Sequence, residues 1–126
     1  MKYAYDAEYV PPAPVVEILL SAPEEPYSVG PLHAIVDTGA DATLVPLGHI
    51  KSLGLPIDNR KYLCSQFGER ILVDVYTVDI GLNGLRFPLI EVIADESGNE
   101  AILGRNILNK LVVTLDGPRQ VLELCI

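Results

Sequence analysis

The 126-residue sequence contains no tryptophan, one methionine, two cysteines and two histidines. Each shortage removes a class of explanation. Cys64 and Cys125 stand 61 positions apart, unlike the closely spaced ligands of a zinc site, and His33 and His49 do not complete one. No metal and no cofactor is expected. Two buried, reduced thiols in a cytoplasmic protein is the ordinary reading of such a pair. Cations are scarce too: nine Lys and Arg face 17 Asp and Glu, for a formal net charge of -8. That balance argues against nucleic acid as a partner, since nucleic acid attracts clustered Lys and Arg. No apolar run approaches the roughly 20 residues that span a bilayer, so no membrane partner is expected. The opening MKYAYDAEYVPPAP lacks the apolar core of a signal peptide, and its Met1 reads as a native start.

What is present suits one folded domain. Hydrophobic residues make up 49% and charged residues 21%, enough for a core and unlike a disordered chain. A chain this short buries a modest share of its surface, and a dimer would enlarge that share. Residues 1–14 read as an arm, kept extended before Val15 by Pro11, Pro12 and Pro14. Its three tyrosines are either solvated or packed on a second subunit.

From residue 15 to 126 the pattern is mostly β. Val15–Leu20 and Leu32–Val36 are short apolar runs joined by a Pro-, Glu- and Gly-rich loop, and they read as a hairpin. Ile71–Ile80 and Arg86–Ala94 flank Asn83-Gly84, a strong two-residue turn signal. Leu111–Leu115 and Val121–Cys125 flank a turn at Asp116-Gly117-Pro118. Two short helices are expected: one opening at Pro46 and stopping at Gly54, the other over 106–110. Many short strands with few helices indicate an all-β barrel or sandwich.

One carboxylate is oddly placed. In HAIVDTGADATLVP, Asp37 directly follows the apolar run Ala34-Ile35-Val36, then the chain turns through Thr38 and Gly39. An Asp-Thr-Gly tripeptide alone is weak evidence: D-[ST]-G recurs by chance in roughly one chain in twenty of this size, and Asp and Gly are ordinary turn residues. The surroundings strengthen it. The stretch AIVDTGADATLVP, together with AILGRNILN at 101–109, resembles the two signature segments of retropepsin-like (retroviral-type) aspartic proteases, in the same order. The resemblance spans roughly 15–126.

It implies an all-β closed barrel working as a homodimer. It also implies an aspartic endopeptidase that hydrolyses polypeptide substrates between two Asp37 carboxyls, one from each subunit. By resemblance, Asp37 is catalytic, and Thr38 and Gly39 support it. Ala40 and Asp41 hold substrate, with Asp41 paired to Arg105. Phe67 and Gly68 contact substrate from a flap between Tyr62 and Ile71, with its tip at 65–69. This flap departs from the retroviral pattern: it has a single glycine and carries Arg60, Lys61, Glu69 and Arg70. Val45, Ile93 and Ile102 hint at apolar substrate side chains. Chain termini in this family interleave between subunits, so Val121–Ile126 is expected to be an edge strand that needs a partner. A peptide-binding dimer that cleaves little, and a monomeric β-domain without a site, are the competing readings.

Overall fold

The computed structural model describes residues 1–65 and 67–126. Six strands close a barrel: β2 (Val15–Ser21), β3 (Val29–Val36), β8 (Ala101–Leu103), β4 (Thr43–Pro46), β7 (Leu85–Asp95) and β6 (Arg70–Leu82), in that spatial order. Closure comes from β2 pairing with β6, Leu20 opposite Ile80. β5 (Asn59–Cys64) continues the sheet beyond β6 as the free arm of a hairpin. Between β4 and β5 lies α1 (Leu47–Lys51), and after β8 comes α2 (Arg105–Leu108). Both helices are shorter than, or displaced from, their expected bounds: α1 ends before Leu53, and α2 opens one residue early, at Arg105.

Strand periodicity accounts for the core. Val16, Ile18 and Leu20 alternate inward on β2, and Val78, Ile80 and Leu82 do the same on β6, all 1% exposed or less. The turn at Asn83-Gly84 has positive φ at both residues, 47° and 82°, as a tight hairpin requires. β3 runs parallel to β8, and β4 parallel to β7. These crossovers bring the end of β3 beside the end of β8, which sets the site described below.

A second sheet holds both ends of the chain: β1 (Lys2–Ala4), β10 (Val121–Cys125) and β9 (Val112–Asp116), with β10 in the middle. Two expectations change here. Two of the arm's three tyrosines pack against their own chain, while Lys2, Glu8 and Val10 remain exposed. Lys2–Ala4 zips onto β10, Asp6 bridges Ala13, and Tyr3 and Tyr5 pack on the core. Likewise, the terminal strand is not an unsatisfied edge, because both of its sides are paired within the chain. The cysteines are free but exposed rather than buried. Cys64 ends the solvated strand β5, and on β10 it is Leu122 and Leu124 that point inward, leaving Cys125 outside.

One buried charge was not anticipated. Asp79 is 2% exposed within β6. Its carboxylate accepts from the Glu24 and Leu89 N–H groups at 3.0 and 2.9 Å and from Arg86 Nε at 3.0 Å. Burial alone would raise its pKa; the two backbone donors and the Arg86 guanidinium outweigh that and leave it lowered. Arg86 also stacks 4.6 Å from the Tyr27 ring centroid, so the cluster ties the β2–β3 loop to the barrel.

Candidate active site

Asp37 directly follows β3, and its position is fixed by hydrogen bonds from both sides. Its N–H donates to Leu103 O at 3.1 Å, and Val36 N–H donates to Pro14 O at 2.9 Å. The chain then turns: Ala40 N–H donates back to Asp37 O at 3.2 Å, and Gly39 N–H donates to the Asp37 carboxylate at 2.9 Å. A Cβ at Gly39 would stand 3.2 Å from Asp37 Oδ1, a tight contact that glycine avoids. Asp37 is half-buried, whereas Thr38 and Gly39 are exposed.

The β8–α2 junction braces this loop from beneath. Gly104 packs so closely that a Cβ would fall 2.2 Å from Ala42 O and 3.1 Å from Ala40 O. Arg105 then grips the loop at three points. Its N–H donates to Ala40 O at 2.9 Å, its Nη1 to Thr38 O at 3.0 Å, and its Nη2 pairs with Asp41 Oδ1. The planar guanidinium serves a carbonyl and a carboxylate from one fixed fork of donors, a geometry that lysine's compact ammonium does not reproduce. Thr43, fully buried, accepts from Gly104 N–H at 3.1 Å and donates to Asn106 Oδ1 at 2.8 Å. Asn106 in turn donates to Glu91 O at 2.9 Å on β7.

The structure therefore gathers Asp37, Thr38, Gly39, Ala40, Asp41 and Arg105 into one loop and its brace. Thr43 and Asn106 complete that brace but were not singled out from the sequence. Thr43 sits between apolar neighbours where strand alternation turns it inward, and that is the only sequence signal it gives.

Phe67 and Gly68 lie elsewhere, in the turn of the β5–β6 hairpin. There Ser65 N–H donates to Glu69 O at 2.8 Å, and Gly68, with φ +83°, donates to Ser65 O at 3.0 Å. Gln66 lies outside the described residues. Phe67 is 85% exposed and every residue of β5 is exposed. Arg70 covers the Tyr62 ring at 4.4 Å.

Two adjoining grooves lie between the loop and the hairpin, and both have Ile93 in their walls. One, about 350 Å³, includes Asp41, Ala42 and Asn106; the other, about 420 Å³, includes Leu44, Leu63 and Ile71. Asp37 lines neither groove. A larger cavity of about 570 Å³ lies at Tyr3, Glu17, His33 and Asn83, away from this motif. The expectation that Val45 faces a groove is corrected: it is fully buried, because alternation on β4 points Leu44 outward and Val45 into the core. Among the described residues no group of His, Cys, Asp or Glu could hold a metal ion. Among the described residues no helix is long and apolar enough to cross a membrane.

Comparison with solved structures decides the architecture. A retropepsin-like aspartic protease from Rickettsia conorii superposes with a TM-score of 0.69 over 98% of this chain and 88% of its own, at 16% identity. The chain has the retropepsin fold. EIAV protease, solved with a bound inhibitor, matches at a TM-score of 0.57 and 22% identity, covering 86% of this chain and 93% of its own. Simian foamy virus protease matches at 0.54 and 21%, covering 76% and 92%. No family model matches the chain, and no curated protein matches it. At these identities the retropepsin likeness is one of architecture, and chemistry has to be argued from the loop itself.

Proposed function

We propose that the protein is an aspartic endopeptidase whose active site forms when two copies bring their Asp37 carboxyls together. The observation that carries this reading is the state of the loop. Asp37 is held by a backbone donor on a firmly braced turn, yet Thr38 and Gly39 beside it are exposed, and each chain supplies one such aspartate. Two carboxyls that close share a proton, as in the aspartic-protease dyad, because both cannot ionise at once. The ionised member takes a proton from water as the water oxygen bonds to the peptide carbonyl carbon. The protonated member gives its proton to the carbonyl oxygen. As the C–N bond breaks, the amine nitrogen takes a proton from the pair, and a hydroxyl of the tetrahedral intermediate returns its proton to the pair, leaving the carboxylic acid and the singly protonated aspartates.

The neighbours follow. Gly39 N–H orients the carboxylate, and the Thr38 hydroxyl hydrogen-bonds across the two-fold axis of the proposed dimer. Asp41 is 86% exposed at its side chain although Arg105 holds one oxygen, so the other is free to accept from substrate backbone. Ala40 offers no side-chain donor to the carboxylate pair. Phe67 and Gly68 close over the peptide as the β5–β6 hairpin folds down. A cytoplasmic setting agrees with two free, exposed thiols.

The test is cleavage of a mixed peptide library from pH 4 to 7.5, beside Asp37→Asn. Loss of about 100-fold or more in the variant is the expected result. Cleavage that survives the substitution would refute the assignment, and no cleavage by a dimeric wild-type protein would favour a peptide-binding dimer instead.

A further inference from the structure

The 420 Å³ groove has an apolar floor and an acidic rim. Leu44, Leu63, Ile71 and Ile93 provide the floor. Four charged residues stand around it, and they are not equivalent. Arg60 and Asp74 neutralise each other, Nε to Oδ1 at 3.0 Å. Asp95 is committed to its own turn, where it accepts from Ser97 N–H at 3.1 Å and Gly98 N–H at 3.0 Å. Glu96 is exposed and makes no ion pair among the described residues. The rim therefore carries two uncompensated negative charges and no free cation, above walls that would pack a hydrocarbon stem.

A side chain that satisfies both features has an aliphatic stem and a cationic head. We infer that this groove receives a lysine or arginine side chain of the peptide substrate, its stem on Leu44 and Ile71 and its charge at Glu96. This rests on the protease reading above, because it takes the groove, joined at Ile93 to the one containing Asp41, as part of the substrate channel. Glu96 is thereby a specificity residue and takes no part in the chemistry. An apolar residue of equal length fills the same walls but leaves the carboxylates without a partner, so discrimination comes from the charge alone.

The experiment separates binding from cleavage. Octapeptide libraries fixed at each position in turn as lysine or norleucine, which keeps the stem and removes the charge, are bound to the Asp37→Asn protein. At one position lysine should bind about fivefold more tightly than norleucine, the scale of a partly solvated ion pair. The preference should disappear in Asp37→Asn/Glu96→Gln and shrink at high salt. Equal binding of the two series, no binding of either, or a preference unchanged by Glu96→Gln would overturn the inference. Selective binding by a protein whose wild-type form cleaves nothing would leave the groove assignment standing and sink the protease reading alone.

Discussion

The loop carrying Asp37 and the hairpin carrying Phe67 are built on opposite terms. Around Asp37 nearly every backbone group has a partner, and residues as distant in sequence as Pro14, Leu103 and Arg105 converge on it. The hairpin has its own ladder, from Asn59 opposite Val75 to Cys64 opposite Arg70, but β5 buries none of its six residues. One region is positioned by long-range contacts and cannot shift without disturbing the barrel. The other pairs with a single strand, with an exposed Lys61–Glu91 contact to β7 beside it, and can move at less cost. A hydrolase of the kind proposed needs both: carboxyls fixed in place, and a cover that opens to admit a chain.

The contrast can be broken at its strongest point by Gly104→Ala. The methyl group would meet Ala42 O, a backbone atom, so the loop must shift or the chain fails to fold. A loss of about 3 kcal/mol or more is expected by denaturant titration, together with lost activity. Asp79→Asn should cost about as much, roughly 3 kcal/mol, by leaving Arg86 without its buried partner. That change tests whether rigidity extends to the far side of the barrel. Its pH signature is distinct. The folded pKa of Asp79 is lowered from 3.8, so its contribution is complete above that unfolded value. It fades as pH falls through the lower folded one, and the acid unfolding limb of the wild type should flatten in the variant. At the other extreme, Phe67→Ala should change stability by no more than about 0.5 kcal/mol. If Phe67 closes over substrate, the same change should raise KM or lower kcat. An effect on stability as large as that of Gly104→Ala would erase the distinction between the regions.

How far the sequence could be read follows the same division. Val15–Leu20, the long pair around Asn83-Gly84 and the C-terminal hairpin were legible because alternation and turn chemistry are local signals. Asp37-Thr38-Gly39 and Arg105 stood out as a motif. Hidden were contacts between distant, short segments. β4 and β8 have only four and three residues, too few to show a period. β1 is a strand only because β10 lies beside it. Thr43, Asn106 and Asp79 look like any polar residues in strands or turns until the fold surrounds them. The same blindness produced the error about β10. A terminal apolar strand looks like an open edge unless one knows that both Lys2–Ala4 and Val112–Asp116 already flank it.

That correction changes the case for pairing. With β10 satisfied, association is supported by the single Asp37 per chain and by the free side of β9, where Val112 and Leu115 are 59% and 46% exposed. The central claim is that each active centre draws one aspartate from each of two chains. Mixing wild-type protein with Asp37→Asn tests it directly, at fixed wild-type concentration and after time for subunits to exchange. The account predicts that peptide cleavage falls to about half at equal amounts, as random pairing divides the wild-type chains between active and inactive dimers, and continues toward zero in excess variant. Cleavage indifferent to the added variant, in a mixture shown to exchange, would mean that one chain carries a complete site.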